Sequence, residues 1–366
     1  MKKNPFKFGS IVADPYFTNR QNEIKKVHSI VNSDNHLIIT SPRRYGKSSL
    51  VLKAIDNLNR PVISMDLQII TSQHDLAAQL LKRIYSTYPF EKIRQYVMNF
   101  RIIPTININP VTNNVEVSFQ PDSGKNVAIF EDVLNLLEKL SKKNKKLIVI
   151  FDEFQDIKRI DSTLIYQFRS IMQHHQNVNY IFLGSQESMI KDIFEKKKSP
   201  FYHFGYVMSL NKIPEIDFKN FLIERFSGMI GEPEKLAGKI LAFTKCHPDY
   251  TQQLAYSVWE KCMDNDSCDK IIEMAIEELI HMHDLDYEKI WYRFNITDKK
   301  LLIGMSGSSL PPLSDEFTRK YDLGASSTAF SSLKRLMNAG YIIKVNSNYE
   351  IDDPFFTLWI KKKRGL

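Results

Sequence analysis

Four short runs of the chain are apolar almost without interruption: residues 37–40 (LIIT), 61–66 (PVISMD), 147–151 (LIVIF) and 180–184 (YIFLG). Runs this short, rich in β-branched and aromatic side chains, predict strands buried on both faces, as in a parallel sheet. Between them, residues 47–59, 74–98, 127–143 and 162–176 space their apolar positions by three and four, which predicts helices. Strands alternating with helices are crossover units, so residues 1–210 are expected to form an α/β domain around a parallel sheet. The alternation is interrupted at 104–119 (PTININPVTNNVEVSF), where two strand-like runs flank Asn113 and Asn114, residues that tolerate a left-handed turn. A β-hairpin insert over 102–119 is predicted there, either a solvated flap or an arm toward a partner.

Past residue 210 the strand runs give way to helical spacing at 215–230, 233–245, 248–263 and 269–294, which predicts a helical lid domain over 211–295. From 296 to 366 the expected order is helix (298–305), helix (314–321), a turn at Asp322-Leu323-Gly324, helix (326–339) and a hairpin (341–351) around Asn346, Ser347 and Asn348. That is the order of a winged helix. Phe330, Leu333, Leu336 and Met337 are expected to give its third helix a buried face, leaving Ser326, Ser327, Thr328, Ser331, Lys334 and Arg335 toward solvent or a groove. There is no internal repeat, and the basic runs at 142–146, 196–198 and 361–364 read as solvated faces or tails.

The 366 residues are 43% apolar and 25% charged, which argues against a disordered, collagenous or membrane-embedded chain. The 50 Lys and Arg against 42 Asp and Glu leave a net charge of +8, which favours an acidic partner such as nucleic acid or an anionic surface. Residues 297–366 hold 11 Lys and Arg against 7 Asp and Glu, so half of the surplus lies in under a fifth of the chain, which supports DNA as that partner. No run approaches the roughly 18 apolar residues of a membrane span. The opening MKKNPFKFGS lacks the apolar stretch of a secretion signal, so a cytoplasmic protein with no membrane partner is expected. Cys246, Cys262 and Cys268 form no CxxC pair and read as buried or idle thiols.

The strongest chemical signal is SPRRYGKSSL at 41–50, a loop that follows one predicted strand and opens a predicted helix. In that context successive loop amides and a helix N-terminus face an anion, and the loop residues Ser41, Pro42, Arg43, Arg44, Tyr45, Gly46, Lys47, Ser48 and Ser49 become candidate nucleotide contacts. Lys47 is placed to reach the β- and γ-phosphates, Ser48 to ligate magnesium, and Gly46 to allow close backbone approach. Ser41 stands where the usual loop begins with Gly, and Pro42 supplies a bend. Arg43 and Arg44 add two guanidinium groups beside the loop, of which at least one is expected to meet nucleotide or the acidic strand end. That end is supplied by KLIVIFDEFQDI (146–157), whose apolar run stops at Asp152 and Glu153. Asp152 is the expected magnesium ligand, through water, and Glu153 the base that polarises an attacking water. Two carboxylates closing a buried strand are costly without a cation, which favours a nucleotide site with Mg2+ over a purely structural pair. Ser185, after the fourth strand, is either a γ-phosphate contact or a helix N-cap.

These pieces together resemble the archaeal-type family of P-loop ATPases, a STAND/AAA+ branch near the origin-recognition initiators. The resemblance covers nearly the whole chain and rests on FTNRQNEI (17–24), SPRRYGKSSL, IVIFDEFQDI, YIFLGSQESM, SPFY (199–202), HPDYTQQLA (247–255) and YEIDDPFFTLWI (349–360). It implies that Phe17 to Arg20 lines an adenine pocket, that Ser185 acts as a first sensor, and that His247 and Pro248 contact nucleotide from the lid. The Glu after the Walker B Asp is similar to that of hydrolysing ASCE-type NTPases. Two positions depart from the pattern. His203-Phe204 stands where relatives often carry Gly-Arg, a candidate finger for the γ-phosphate, and Cys246 stands where a Gly usually precedes His-Pro. Without that arginine the expectation is slow turnover, more switch than motor, with Arg43, Arg44 and Arg169 as substitutes within the chain or a neighbouring subunit supplying one. For the winged helix two readings stand: a DNA contact through Ser326, Ser327, Thr328, Ser331, Lys334 and Arg335, or docking of a protein partner, another copy of the chain included.

Overall fold

The computed structural model describes residues 3–109, 115–119, 126–262, 267–345 and 347–365. Two compact units divide the chain: a sheet unit of Gln21–Ser41 and Leu50–Leu210, and a helical unit of Met1–Arg20, Pro42–Ser49 and Asn211–Leu366.

The sheet unit opens with α1 (Gln21–Val31) and β1 (Leu37–Thr40); α2 (Lys47–Ile55) follows the loop, and β2 (Val62–Asp66) follows α2. Then come α3 (Gln73–Thr87), α4 (Phe90–Val97), the hairpin β3 (Thr105–Ile108) and β4 (Val115–Ser118), α5 (Asn126–Leu140), β5 (Leu147–Asp152), α6 (Ile157–Ile160), α7 (Leu164–Met172), β6 (Val178–Gly184), α8 (Glu187–Phe194) and β7 (Tyr206–Ser209). Five of the strands form a parallel sheet in the order β2-β5-β6-β1-β7. The four strands expected from their apolar runs are all present. The fifth, β7, lies at the edge beside β1 and is at most half-buried, so its short sequence YVMS carries little apolar signal.

Every residue of β1 and β6 is buried, the burial on both faces that continuous apolar runs imply. The core behind them is aromatic: Phe151, Phe154, Phe168, Phe182, Phe194 and Phe201 are fully buried, with the Phe154 and Phe182 rings 4.5 Å apart. The helix expected over 74–98 is broken in two, because Pro89 forces Tyr88 into an extended conformation that ends α3. The hairpin is present and packs on α3, with Val115 and Phe119 buried in the main core, so one of its faces is not a free flap. Its expected turn at Asn113 and Asn114 lies outside the described residues.

The helical unit contains α9 (Glu215–Phe226), α10 (Pro233–Thr244), α11 (Pro248–Lys261), α12 (Cys268–Met282), α13 (Asp284–Arg293), α14 (Ile296–Gly307), α15 (Asp315–Lys320), α16 (Ser326–Asn338), the antiparallel pair β8 (Ile342–Val345) and β9 (Asn348–Ile351), and α17 (Pro354–Arg364). One core runs through it, from Phe6 against Phe226 and Trp259 to Tyr287 against Phe356 and Trp359. The helix expected over 269–294 is two helices, α12 ending at His283. The terminal basic run is not a loose tail. It is the last turn of α17, where cations favour the helix dipole, and Lys362 and Lys363 pair with Glu277 and Glu288 at 3.0 Å each. All three cysteines are free, and burial pushes the Cys262 thiol up to about 11, so it stays protonated at neutral pH. Among the described residues no helix is long and apolar enough to cross a membrane.

Candidate functional site

In a parallel sheet all C-terminal strand ends lie on one edge. Ser41, after β1, donates its amide to the Gly184 carbonyl at the end of β6 (3.3 Å), and Asp152 closes β5 in register with Asp66 at the end of β2. Ser41, Asp152, Glu153 and Ser185 therefore share that edge. Glu153 adopts a left-handed backbone (φ 50°), which a non-glycine residue holds only when its surroundings fix it. They do so here. Its carboxylate accepts from the Ser185 hydroxyl at 2.6 Å, from the Ser185 amide at 3.3 Å, and from the side-chain amide of Gln155. The expected sensor Ser185 is thus bound to the expected base. Gln155, only 1% exposed, is a positioning residue that sequence reasoning missed, although it lies two positions beyond Glu153.

Gly184 makes this packing possible. A Cβ there would stand 2.3 Å from two side-chain carbons of Ile190 and 2.8 Å from the Gln155 Oε1. Gly184→Ala is expected to destabilise the protein by about 1–3 kcal/mol through overpacking. A thermal melt superimposable on that of wild type would contradict the tight seating of Gln155.

The loop that follows β1 has left-handed backbone at Arg44 (φ 65°) and at Gly46 (φ 85°), the alternation by which successive amides converge into an anion-binding nest. Lys47 is buried and donates to the Pro42 carbonyl at 3.3 Å, folding back over the loop's own start. Arg20 donates to the Tyr45 carbonyl at 3.2 Å, and the Ser49 hydroxyl accepts from the Val12 amide at 3.0 Å. Of the segment expected at adenine, Arg20 thus supports the loop itself, while Phe17 is half-buried in a turn closed by its own amide on Ala13. Ser48, at the start of α2, offers a hydroxyl, and Asp152 offers a carboxylate. Each is a hard oxygen donor, the class of ligand a magnesium ion takes.

The other loop side chains face carboxylates and rings of the helical unit. Arg44 donates to the Tyr250 hydroxyl at 3.3 Å and lies 3.9 Å from Asp249. Burial opposes its charge, yet Tyr250, Asp249 and Asp353 hold its guanidinium above its ordinary pKa. The Tyr45 ring packs edge-on against His247 at 4.8 Å, and its hydroxyl reaches Asp352 at 3.5 Å. His247 is 1% exposed; its Nδ1 accepts from the Tyr250 amide as the N-cap of α11, and its Nε2 lies 3.6 Å from Asp352. Pro248 opens that helix at its first position. The structure therefore places the expected lid ligand, His247, between the loop's Tyr45 and a carboxylate at the start of α17. Cys246, in the position where a Gly was expected, has φ 58°.

In the winged helix, Ser326, Ser327, Thr328 and Lys334 are exposed along α16, and Ser331 donates back to the Ser327 carbonyl at 2.8 Å. Arg335 is engaged within the protein: it grips the buried Asp298 through Nε at 3.0 Å and Nη2 at 2.5 Å, and Ser332 donates to the same carboxylate. Phe330 corrects the expected burial. It is 52% exposed, because Ala329, Ser332, Leu333 and Leu336 take the core positions and Phe330 falls one residue out of phase.

The profile of a family described as "ATPase domain predominantly from Archaea" matches residues 17–254, and that of a "Probable winged helix domain" matches residues 285–362. Among curated proteins no sequence matches. Among solved structures the chain is similar to the Walker-type ATPase of Pyrococcus abyssi, with 18% identity and a TM-score of 0.69 over 98% of this chain and 99% of that one. It is similar to the ADP form of the Aeropyrum pernix ORC2 protein, with 14% identity and a TM-score of 0.53 over 99% and 98% of the two chains. The Aeropyrum pernix ORC1 protein in complex with DNA matches at 11% identity and a TM-score of 0.50, over 96% and 95%. At these identities the likeness shows the fold: a P-loop ATPase sheet with a C-terminal winged helix.

Proposed function

The chain belongs to the family of ATPase domains found predominantly in Archaea, and on that premise we propose that it is a nucleotide-operated switch: it binds ATP with magnesium, hydrolyses it slowly, and governs DNA contact by its winged helix through nucleotide state. In this reading residues 1–210 are the ATPase domain, 211–295 the lid and 296–366 the winged helix. The observation that carries hydrolysis is the Glu153 carboxylate, fixed by Ser185 and Gln155 at the strand edge that also bears Asp152. Ser41 to Ser49 cradle the phosphates with their amides, Lys47 neutralises the β- and γ-phosphates, and Ser48 and Asp152 hold the magnesium site. Magnesium, when bound, offsets phosphate charge. Glu153 accepts a proton from the attacking water. Turnover is slow because two of the three substitutes for the missing arginine are engaged: Arg169 donates to the Pro200 carbonyl at 3.0 Å and packs on Phe204, while Arg44 faces Asp249 and Tyr250.

For DNA, support comes from the exposed Ser326, Ser327, Thr328 and Lys334 on α16 and from the similar fold of the Aeropyrum pernix ORC1 protein, solved in complex with DNA. A second reading, docking of a protein on the same helix, is favoured by the exposed Phe330 ring and by the tie of Arg335 to Asp298. Fluorescence anisotropy with a labelled duplex, at two salt concentrations and with ATP, ADP or neither, separates the two. A DNA switch gives binding that weakens with salt and changes with nucleotide, and Lys334→Ala reduces the salt slope by about one. No binding in any state leaves the docking surface.

A further inference from the structure

Asp352 and Asp353 follow β9 and open α17. Asp353 has a structural task, since it accepts from the amides of Phe355 (2.8 Å) and Phe356 (3.0 Å) as the N-cap of α17, and from the Tyr287 hydroxyl at 3.0 Å. Burial raises the pKa of its carboxyl, while those hydrogen bonds and the charge of Arg44 act in the opposite sense. Asp352 has no such cap to serve. It faces the Tyr45 hydroxyl at 3.5 Å and the His247 Nε2 at 3.6 Å. Because His247 Nδ1 accepts a backbone N–H, a neutral ring carries its proton on Nε2, the atom 3.6 Å from that carboxylate. β9 is held from the same side, with Glu350 pairing with Lys245 at 3.1 Å and Lys212 at 3.6 Å. Arg43, Arg44, Tyr250, Asp352 and Asp353 all line one cleft of about 470 Å³.

Two features of this arrangement bear on nucleotide. The loop groups it engages, Arg44 and Tyr45, flank the amides expected to receive phosphate. And its contacts are long, between 3.3 and 3.9 Å, so they fall short of well-formed charge-assisted hydrogen bonds. A polyphosphate on the loop brings negative charge to the guanidinium that Asp249 now faces, and repels both acids of the Asp352–Asp353 pair, which line the same cleft.

We propose that Asp352, through Tyr45 and His247, and Asp353, in the cleft it shares with Arg44, form an acidic latch that holds the phosphate loop to the start of α17, and that a triphosphate on the loop competes with it and loosens α17. The inference rests on the loop being a nucleotide site. By linkage, the factor by which nucleotide weakens the latch equals the factor by which the latch weakens nucleotide binding.

The test uses the full chain and MgATPγS. Hydrogen exchange across Pro354–Arg364 is expected to quicken when MgATPγS binds wild type, a measurement that needs no variant. In calorimetry Asp352→Asn and Asp353→Asn, the second keeping a capping side chain, are each expected to bind MgATPγS tighter, together by about tenfold, within the usual range of coupled sites. In an Arg44→Gln background the two Asn substitutions are expected to lose most of that effect, as coupled neighbours do. Wild type that binds MgATPγS with unchanged exchange at α17, or Asn variants that bind no tighter, overturns the latch and leaves the nucleotide site standing. Wild type that binds no MgATPγS at all overturns both.

Discussion

Lys47→Ala is expected to abolish tight binding of MgATP. The lysine is buried and directed back across the loop onto Pro42, whereas Arg44 faces Tyr250 and Asp249. In the proposed site its charge meets phosphates that carry several negative charges in a partly desolvated setting. Hydrogen bonds to charged groups contribute about 1.5–3 kcal/mol each, so losing contacts to two phosphates weakens binding by roughly a hundredfold or more. Titration calorimetry with MgATP and MgADP reads this directly. Affinity for both nucleotides equal to that of wild type would remove the loop at 41–49 from the nucleotide site and, with it, every role assigned around it.

The second large effect is on turnover. Glu153→Gln keeps the shape of the side chain and leaves an oxygen to accept from the Ser185 hydroxyl, so the strand edge is expected to survive and MgATP affinity to stay within about threefold of wild type. What is lost is basicity. General-base catalysis contributes about 10²–10⁴ in rate, and steady-state phosphate release is expected to fall by that amount. Wild-type turnover in this variant would assign water activation to another group, with Asp66, in register with Asp152 on the neighbouring strand, the first to substitute.

The strand-loop-helix around Lys47 and the acids at the end of β5 were legible because parallel strands buried on both faces must be apolar throughout, and a run such as LIVIFDE shows its end sharply. β7 was not legible, since an edge strand with half-exposed residues needs no such run. On α16 the size of Phe330 outweighed its phase: the small Ala329 occupies the core position beside it. At α17 the signals were present in Asp353 as a cap and Pro354 at the first helical position, yet the segment reads first as a motif and only then as a helix start. The surroundings of Arg44 and Tyr45 were beyond reach for a different reason. Their partners Tyr250 and Asp352 stand 206 and 307 positions downstream, and no local periodicity encodes such a pairing.

That separation has a bearing on how the protein is born. A ribosome emits the loop 206 residues before Tyr250 and 307 residues before Asp352, so over that stretch of synthesis the loop lacks the groups that Arg44 and Tyr45 face. Contacts this distant in sequence close late in folding as well, after the loop entropy between them has been surrendered. A nascent chain can therefore expose the loop before α17 exists to pack beside it, and the folded protein differs from the growing one in the segment proposed to meet nucleotide.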